Sequence, residues 1–96
     1  MPVFKGNAPS GTTDSETYNI PCYIKSFSFT NLSVNPNLVI AYIYDGSTNY
    51  PFFVRELQAG SSYLSDVPIQ LKIGDNISLR NLGAEENGFI YYITIE

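Results

Sequence analysis

LVIAYIYDGSTNYPFFVR, residues Leu38 to Arg55, decides the fold class. Two runs of branched and aromatic residues, Leu38 to Tyr44 and Tyr50 to Arg55, flank the polar stretch Asp45-Gly46-Ser47-Thr48. Such side chains suit the pleated, half-buried surface of a strand. Asp-Gly between two such runs is a strong hairpin signal, because a tight turn needs residues that tolerate positive φ. Pro51 has no N–H for a ladder, which places its end of the second run at an edge or an entry position. The first run is apolar on both faces. Val39, Ala41 and Ile43 lie on one side, and Leu38, Ile40, Tyr42 and Tyr44 on the other. A single core takes only one of these rows. The row Leu38, Ile40, Tyr42, Tyr44 is therefore expected to meet another surface, since an uncovered apolar row is an aggregation liability. The competing expectation is that it lies under a loop or the folded-back N-terminal segment.

The same period of two extends through the rest of the chain, and no segment repeats apolar residues at helical spacing. Thr17 to Ile20 reads as a short strand stopped by Pro21. Tyr23 to Thr30 is the next, and its apolar residues change parity between Ile24 and the Phe27/Phe29 pair, which predicts a bulge near Lys25-Ser26. Asn31 to Asn37 is an Asn-rich loop. Ser62 to Leu64, Val67 to Leu71 (broken by Pro68), Asn76 to Arg80 and Phe89 to Glu96 complete the series, the last with Phe89, Tyr91, Ile93 and Ile95 on one face. Leu82 to Gly88 reads as an exposed acidic loop. Seven or eight short strands with frequent turn signals predict an all-β domain over residues 16–96. The expected architecture is a single antiparallel β-sandwich, Ig-like or jelly-roll-like, with a small barrel as the alternative. The absence of a Cys…Trp…Cys spacing excludes an antibody-type domain.

Residues 1–15 are rich in Gly, Pro, Ser and Thr, with Val3 and Phe4 as their main apolar side chains. They read as an extended N-terminal arm. Lacking the apolar content to fold alone, the arm is expected to lie on another chain, with Val3 and Phe4 as contacts.

Composition narrows the function. A chain of 96 residues supports one domain. A core this small is marginal, and one cysteine offers no internal disulfide, so support from neighbouring subunits is an expectation. The net charge is −4, and the five basic residues are scattered. Direct nucleic-acid binding, which needs clustered Lys and Arg, is not expected. No apolar run approaches the ~20 residues of a membrane span. Met1-Pro2-Val3-Phe4-Lys5-Gly6 lacks the charged-then-apolar plan of a signal peptide, so synthesis in a cytoplasm is expected.

Candidates for chemistry are sparse. The chain has no His, so no nucleophile has its usual base. Cys22, at a strand boundary after Pro21, reads as a small buried thiol. Asp66, Asp75, Glu85 and Glu86 could supply oxygen ligands for Ca²⁺, but no EF-hand-like run exists and Asp is a common turn former. Eight tyrosines admit sugar stacking, although Tyr is also a preferred strand and interface residue.

Several segments, taken in order, carry a resemblance. They are Thr17-Tyr18-Asn19-Ile20-Pro21, Ile24-Lys25-Ser26-Phe27-Ser28-Phe29-Thr30-Asn31, and the apolar strand ending at Asp45-Gly46. Leu57-Gln58-Ala59-Gly60-Ser61-Ser62-Tyr63 and Leu71-Lys72-Ile73-Gly74-Asp75-Asn76-Ile77-Ser78-Leu79 follow. Together, over about Glu16 to Ile95, this resembles a family of small β-sandwich proteins from tailed-bacteriophage virions. Two features depart from that pattern: the heavier aromatic content of the Leu38–Tyr44 strand, and the leader, which has no counterpart and could serve as the anchor. The resemblance implies a non-enzymatic auxiliary or head-decoration protein with no cofactor. It would bind the major capsid protein, other virion proteins or copies of itself through its arm and apolar strand face. It would be made in the host bacterial cytoplasm and reside in the virion. A neck or tail component, or a carbohydrate-binding module on a fibre, is the alternative.

Overall fold

The computed structural model describes residues 3–83 and 89–96. The described residues contain nine strands: β1 (Val3–Ala8), β2 (Gly11–Asp14), β3 (Cys22–Asn31), β4 (Asn37–Tyr44), β5 (Asn49–Leu57), β6 (Ser62–Ser65), β7 (Ile69–Leu71), β8 (Asn76–Asn81) and β9 (Phe89–Ile95). They form two antiparallel sheets. The first runs β1-β9-β3-β6, with β7 also pairing β3, and the second runs β2-β8-β4-β5. β6 and β7 lie against successive halves of β3, at Phe27 to Thr30 and at Cys22 to Ile24, so they act as one interrupted strand. The pairings are then nested: first with last, second with second-last, third with third-last, and the middle two with each other. A long hairpin rolled up in this way into two facing sheets is a jelly roll. The chain is an all-β sandwich, and of the two topologies expected it takes this one.

The leader is corrected by this topology. Residues 3–8 pair with β9 from Val3↔Thr94 to Ala8↔Phe89, and residues 11–14 pair with β8. They are the first strand of each sheet, not an arm lying on another chain, and the division at residue 15 is no boundary in the fold. The physical reason lies in the backbone. Without β1, the outer edge of β9 would lack ladder partners, and a strand there needs few large side chains to be held. Phe4, Gly6 and Ala8 alternate inward, and Gly6 sits where an added Cβ would come within 2.9 Å of Tyr91 Oη. The Thr17–Ile20 strand is also corrected. That stretch is an irregular crossover, in which the Tyr18 N–H donates to the Asp75 carbonyl at 2.9 Å and the Gly74 N–H donates to the Tyr18 carbonyl at 2.9 Å.

Between the sheets, Val39, Ala41, Phe53, Leu57, Ile77 and Leu79 from the second meet Ile24, Phe27, Phe29, Leu71 and the Phe89/Tyr91/Ile93/Ile95 row from the first. Phe29 is fully buried, with ring centroids 4.8 Å from Phe53, 5.2 Å from Phe27 and 5.4 Å from Phe89. Two bulges tune this core. The β3–β9 register shifts between Ile24 and Ser26, leaving Lys25 as the extra residue and restoring Phe27 and Phe29 to the inner face. The β4–β5 register shifts between Ala41 and Tyr42, and both Phe52 and Phe53 then reach Phe27, at 5.4 and 5.9 Å.

One end of the roll is tied by asparagines. Asn31 is buried; its side-chain amide donates to the carbonyls of Leu57 (2.8 Å) and Asn35 (2.9 Å) and its Oδ1 accepts from Ser33. Asn81 donates to the Ala8 carbonyl at 3.2 Å and accepts from the Gly83 N–H at 3.0 Å. The loop expected over residues 82–88 lies outside the described residues from 84 onward.

Candidate functional site: the outer face of the second sheet

Strand β4 is central in its sheet, so its alternation decides what the outer face presents. Val39 and Ala41 are fully buried and Ile43 packs against the core. Leu38, Ile40, Tyr42 and Tyr44 consequently point away from the core. Ile40, Tyr42 and Tyr44 are partly exposed, and Leu38 is 37% exposed. The register supplies their neighbours. On β5, Glu56 lies opposite Leu38, Val54 opposite Ile40, Pro51 opposite Tyr42 and Asn49 opposite Tyr44. On β8, Arg80 lies opposite Ile40, Ser78 opposite Tyr42 and Asn76 opposite Tyr44. Thr12 and Asp14 of β2 continue the face beyond β8.

The result is an apolar–aromatic ridge along β4, widened by Pro51 and by Val54, which is 57% exposed. Glu56 flanks it on one side and Arg80 on the other. Cross-strand neighbours cover the sides of the ridge, and among the described residues nothing covers its crest. The leader does not cover it either, because β2 sits beside β8, on the far side from β4.

Val3 and Phe4, the other expected contacts, are not on this face. Val3 pairs with Thr94 in the first sheet, and the Phe4 ring lies against Tyr91 with centroids 4.7 Å apart. Phe4 is therefore a core-lining residue, and the structure separates these two from the β4 row. The signal that could have placed them was the alternation Phe4, Gly6, Ala8, which marks one face of a strand but is faint because two of its three members are small.

The free edge of β5 is an unsuitable template for strand addition. Pro51 and the bulge interrupt it, and Arg55, in register with core-facing Val39, lays its guanidinium 4.7 Å from the Tyr63 ring centroid. Proline, bulges and inward-turned charge are the usual means of blunting an edge.

Elsewhere the polar groups have local duties. Asp45 Oδ1 accepts from the N–H groups of Thr48 (2.7 Å) and Ser47 (2.9 Å), which holds its carboxyl below the usual range and closes the β4–β5 turn at Gly46, where φ is +97°. Asp75 Oδ2 accepts from the Lys72 N–H at 2.8 Å. Among the described residues, no three His, Cys, Asp or Glu side chains gather as a metal site would require; Glu85 and Glu86 lie outside them. Cys22 is buried, and burial, with Asp75 adding to it, pushes its thiol pKa up.

The outer face of the first sheet mixes apolar and hydroxyl side chains, with Leu64, in register with Ser28, 75% exposed. It presents Ser26, Ser28, Thr30 and Thr94, with Tyr23 and Tyr92 about half exposed. Lys5 lies 5.9 Å from the Tyr92 ring centroid, and Lys25 Nζ lies 3.7 Å from Glu96 Oε2.

No family model matches the chain, and comparison with curated proteins finds no match.

Proposed function

We propose that this chain is a non-enzymatic assembly module of the kind represented by small virion structural proteins of tailed bacteriophages. It would seat through the outer face of the second sheet on the major capsid protein, on another virion protein or on a further copy of itself. The observation that carries this reading is the Leu38, Ile40, Tyr42, Tyr44 ridge on a central strand, uncovered at its crest among the described residues and extended by Val54 and Pro51. Jelly rolls serve in many viral capsid and lectin domains, which is support by analogy of fold alone. The leader drops out as an anchor, since it completes the chain's own sheets. In this reading the protein is made in the host cytoplasm and resides in the virion.

Quantitative mass spectrometry of purified virions tests the reading. Stoichiometric presence, at a copy number matching the capsid lattice for a decoration protein or a single ring for a neck or tail component, is the expected result. Absence from purified particles rejects it.

A second reading, a carbohydrate-binding module, draws on the other sheet. Tyr23 and Tyr92 share its outer face with a set of hydroxyl side chains, a combination suited to sugar stacking and hydrogen bonding. Saturable glycan binding that is lost in Tyr92→Ala would favour it.

A further inference from the structure

The ridge on β4 is charged differently on its two sides. Arg80 stands on β8 at the level of Ile40, and Glu56 stands on β5 at the level of Leu38. Both are exposed, and neither is in a salt bridge among the described residues. Glu56 accepts a hydrogen bond from Gln58 Nε2 at 3.1 Å through one oxygen, which leaves the other for a partner. A partner surface of a single sign would match only one flank. This same face, turned over, matches both.

We propose that the partner on this face is a second copy of the chain, packed sheet to sheet about a two-fold axis that runs along β4. This rests on the assembly reading of the same face. Rotation about such an axis leaves each residue's height along the strand unchanged and exchanges the two sides. β8 of one copy therefore comes opposite β5 of the other. Arg80 and the facing Glu56 then differ in height by two residues, about 7 Å, across sheets about 10 Å apart. Their backbones are about 12 Å apart, which an arginine and a glutamate side chain together span. Symmetry makes the pair twice. Between the two pairs, the Leu38, Ile40, Tyr42 and Tyr44 crests of both copies meet, and the twist of each sheet sets their crossing at about 30°. A two-fold axis across the strands would instead set β8 over β8 and β5 over β5, matching neither charge. Asp14, on β2, falls outside the partner's β5 and remains at the rim.

The face is small. β4 has eight residues, which is about 26 Å of strand, and three strands share the contact. This belongs to the lower end of specific interfaces, where dissociation constants are commonly micromolar.

Sedimentation velocity on the purified full chain across the micromolar range is the test, with Arg80→Glu and Glu56→Arg as the variants. Thermal midpoints close to that of the unsubstituted chain confirm that these exposed substitutions leave the fold intact. The unsubstituted chain is expected to dimerise. Each variant alone sets like charges opposite each other twice and should weaken the dimer by about tenfold or more. Mixed in equal amounts, the two variants form a heterodimer in which each flank again joins one carboxylate to one guanidinium, and the dimer should return. A monomeric unsubstituted chain throughout the range, dimers indifferent to both reversals, or no recovery on mixing overturns the proposal. If the chain is monomeric while Tyr42→Ala still lowers its occupancy on particles, self-pairing falls and the assembly reading stands. If neither is observed, both fall.

Discussion

Tyr42→Ala separates the two duties a β4 side chain can have. The ring projects from the outer face between Pro51 and Ser78, away from the buried Val39 and Ala41. Within the isolated chain, its removal forfeits two direct cross-strand contacts, each worth roughly 0.2–1 kcal/mol, for a total near 1 kcal/mol. In a domain of this size that lowers the thermal midpoint by about 4–8 °C. As an aromatic anchor in an interface, the same ring is worth about 2 kcal/mol or more, a loss of affinity of about thirtyfold. The assay pairs a thermal melt of the purified variant with its occupancy on assembled particles, measured against the unsubstituted chain in competition. The expected result is a small midpoint shift and a severe occupancy loss. A midpoint drop of about 15 °C or more would show that Tyr42 belongs to the core and that the outer-face argument is wrong. A small shift with full occupancy would strip the ridge of its proposed role.

Phe29→Ala makes the opposite case: a fully buried ring in contact with Phe27, Phe53 and Phe89 should cost about 3–5 kcal/mol in chemical denaturation, and a cost below about 1 kcal/mol would contradict the packing described. Deleting residues 1–15 removes the first strand of both sheets, so the truncated chain should lose its cooperative melt or bind a hydrophobic dye; a melt like that of the full chain would restore the leader as a dispensable arm. Burial pushes the hydroxyls of Tyr18 and Tyr91 above the ordinary value of 10.0. Because the raised pKa belongs to the folded state, their contribution is intact below about pH 10 and is lost as pH rises through the folded values. Stability should therefore fall in alkaline solution above about pH 10, and Tyr18→Phe with Tyr91→Phe should flatten that fall; an unchanged slope in the double variant would assign the loss to other groups.

The alternation of side chains determined a good deal by itself. Strand existence, the Asp45-Gly46 hairpin, the edge position marked by Pro51, the bulge at Lys25 and the inner row of β9 are all local consequences of a period of two, and each follows from a few neighbouring residues. The two-sided apolar character of β4 likewise marks an outward row from the sequence alone. What the sequence left open is whatever depends on distant partners. Residues 3–8 carry too little apolar surface to announce a strand, yet β9 needs a neighbour for its backbone groups, and only the closed roll supplies that reason. Thr17 to Ile20 has strand-like composition, but its hydrogen bonds go to the turn at Gly74 and Asp75, so it crosses between sheets instead. Asn31 and Asn81 look like loop residues in sequence; they are buried because the roll brings Leu57 and Ala8 carbonyls to their side chains. The sign of charge on each flank of the ridge is likewise tertiary: Arg80 and Glu56 are 24 positions apart in the chain, and the pairing of β4 with both β5 and β8 alone puts them on opposite sides of one face.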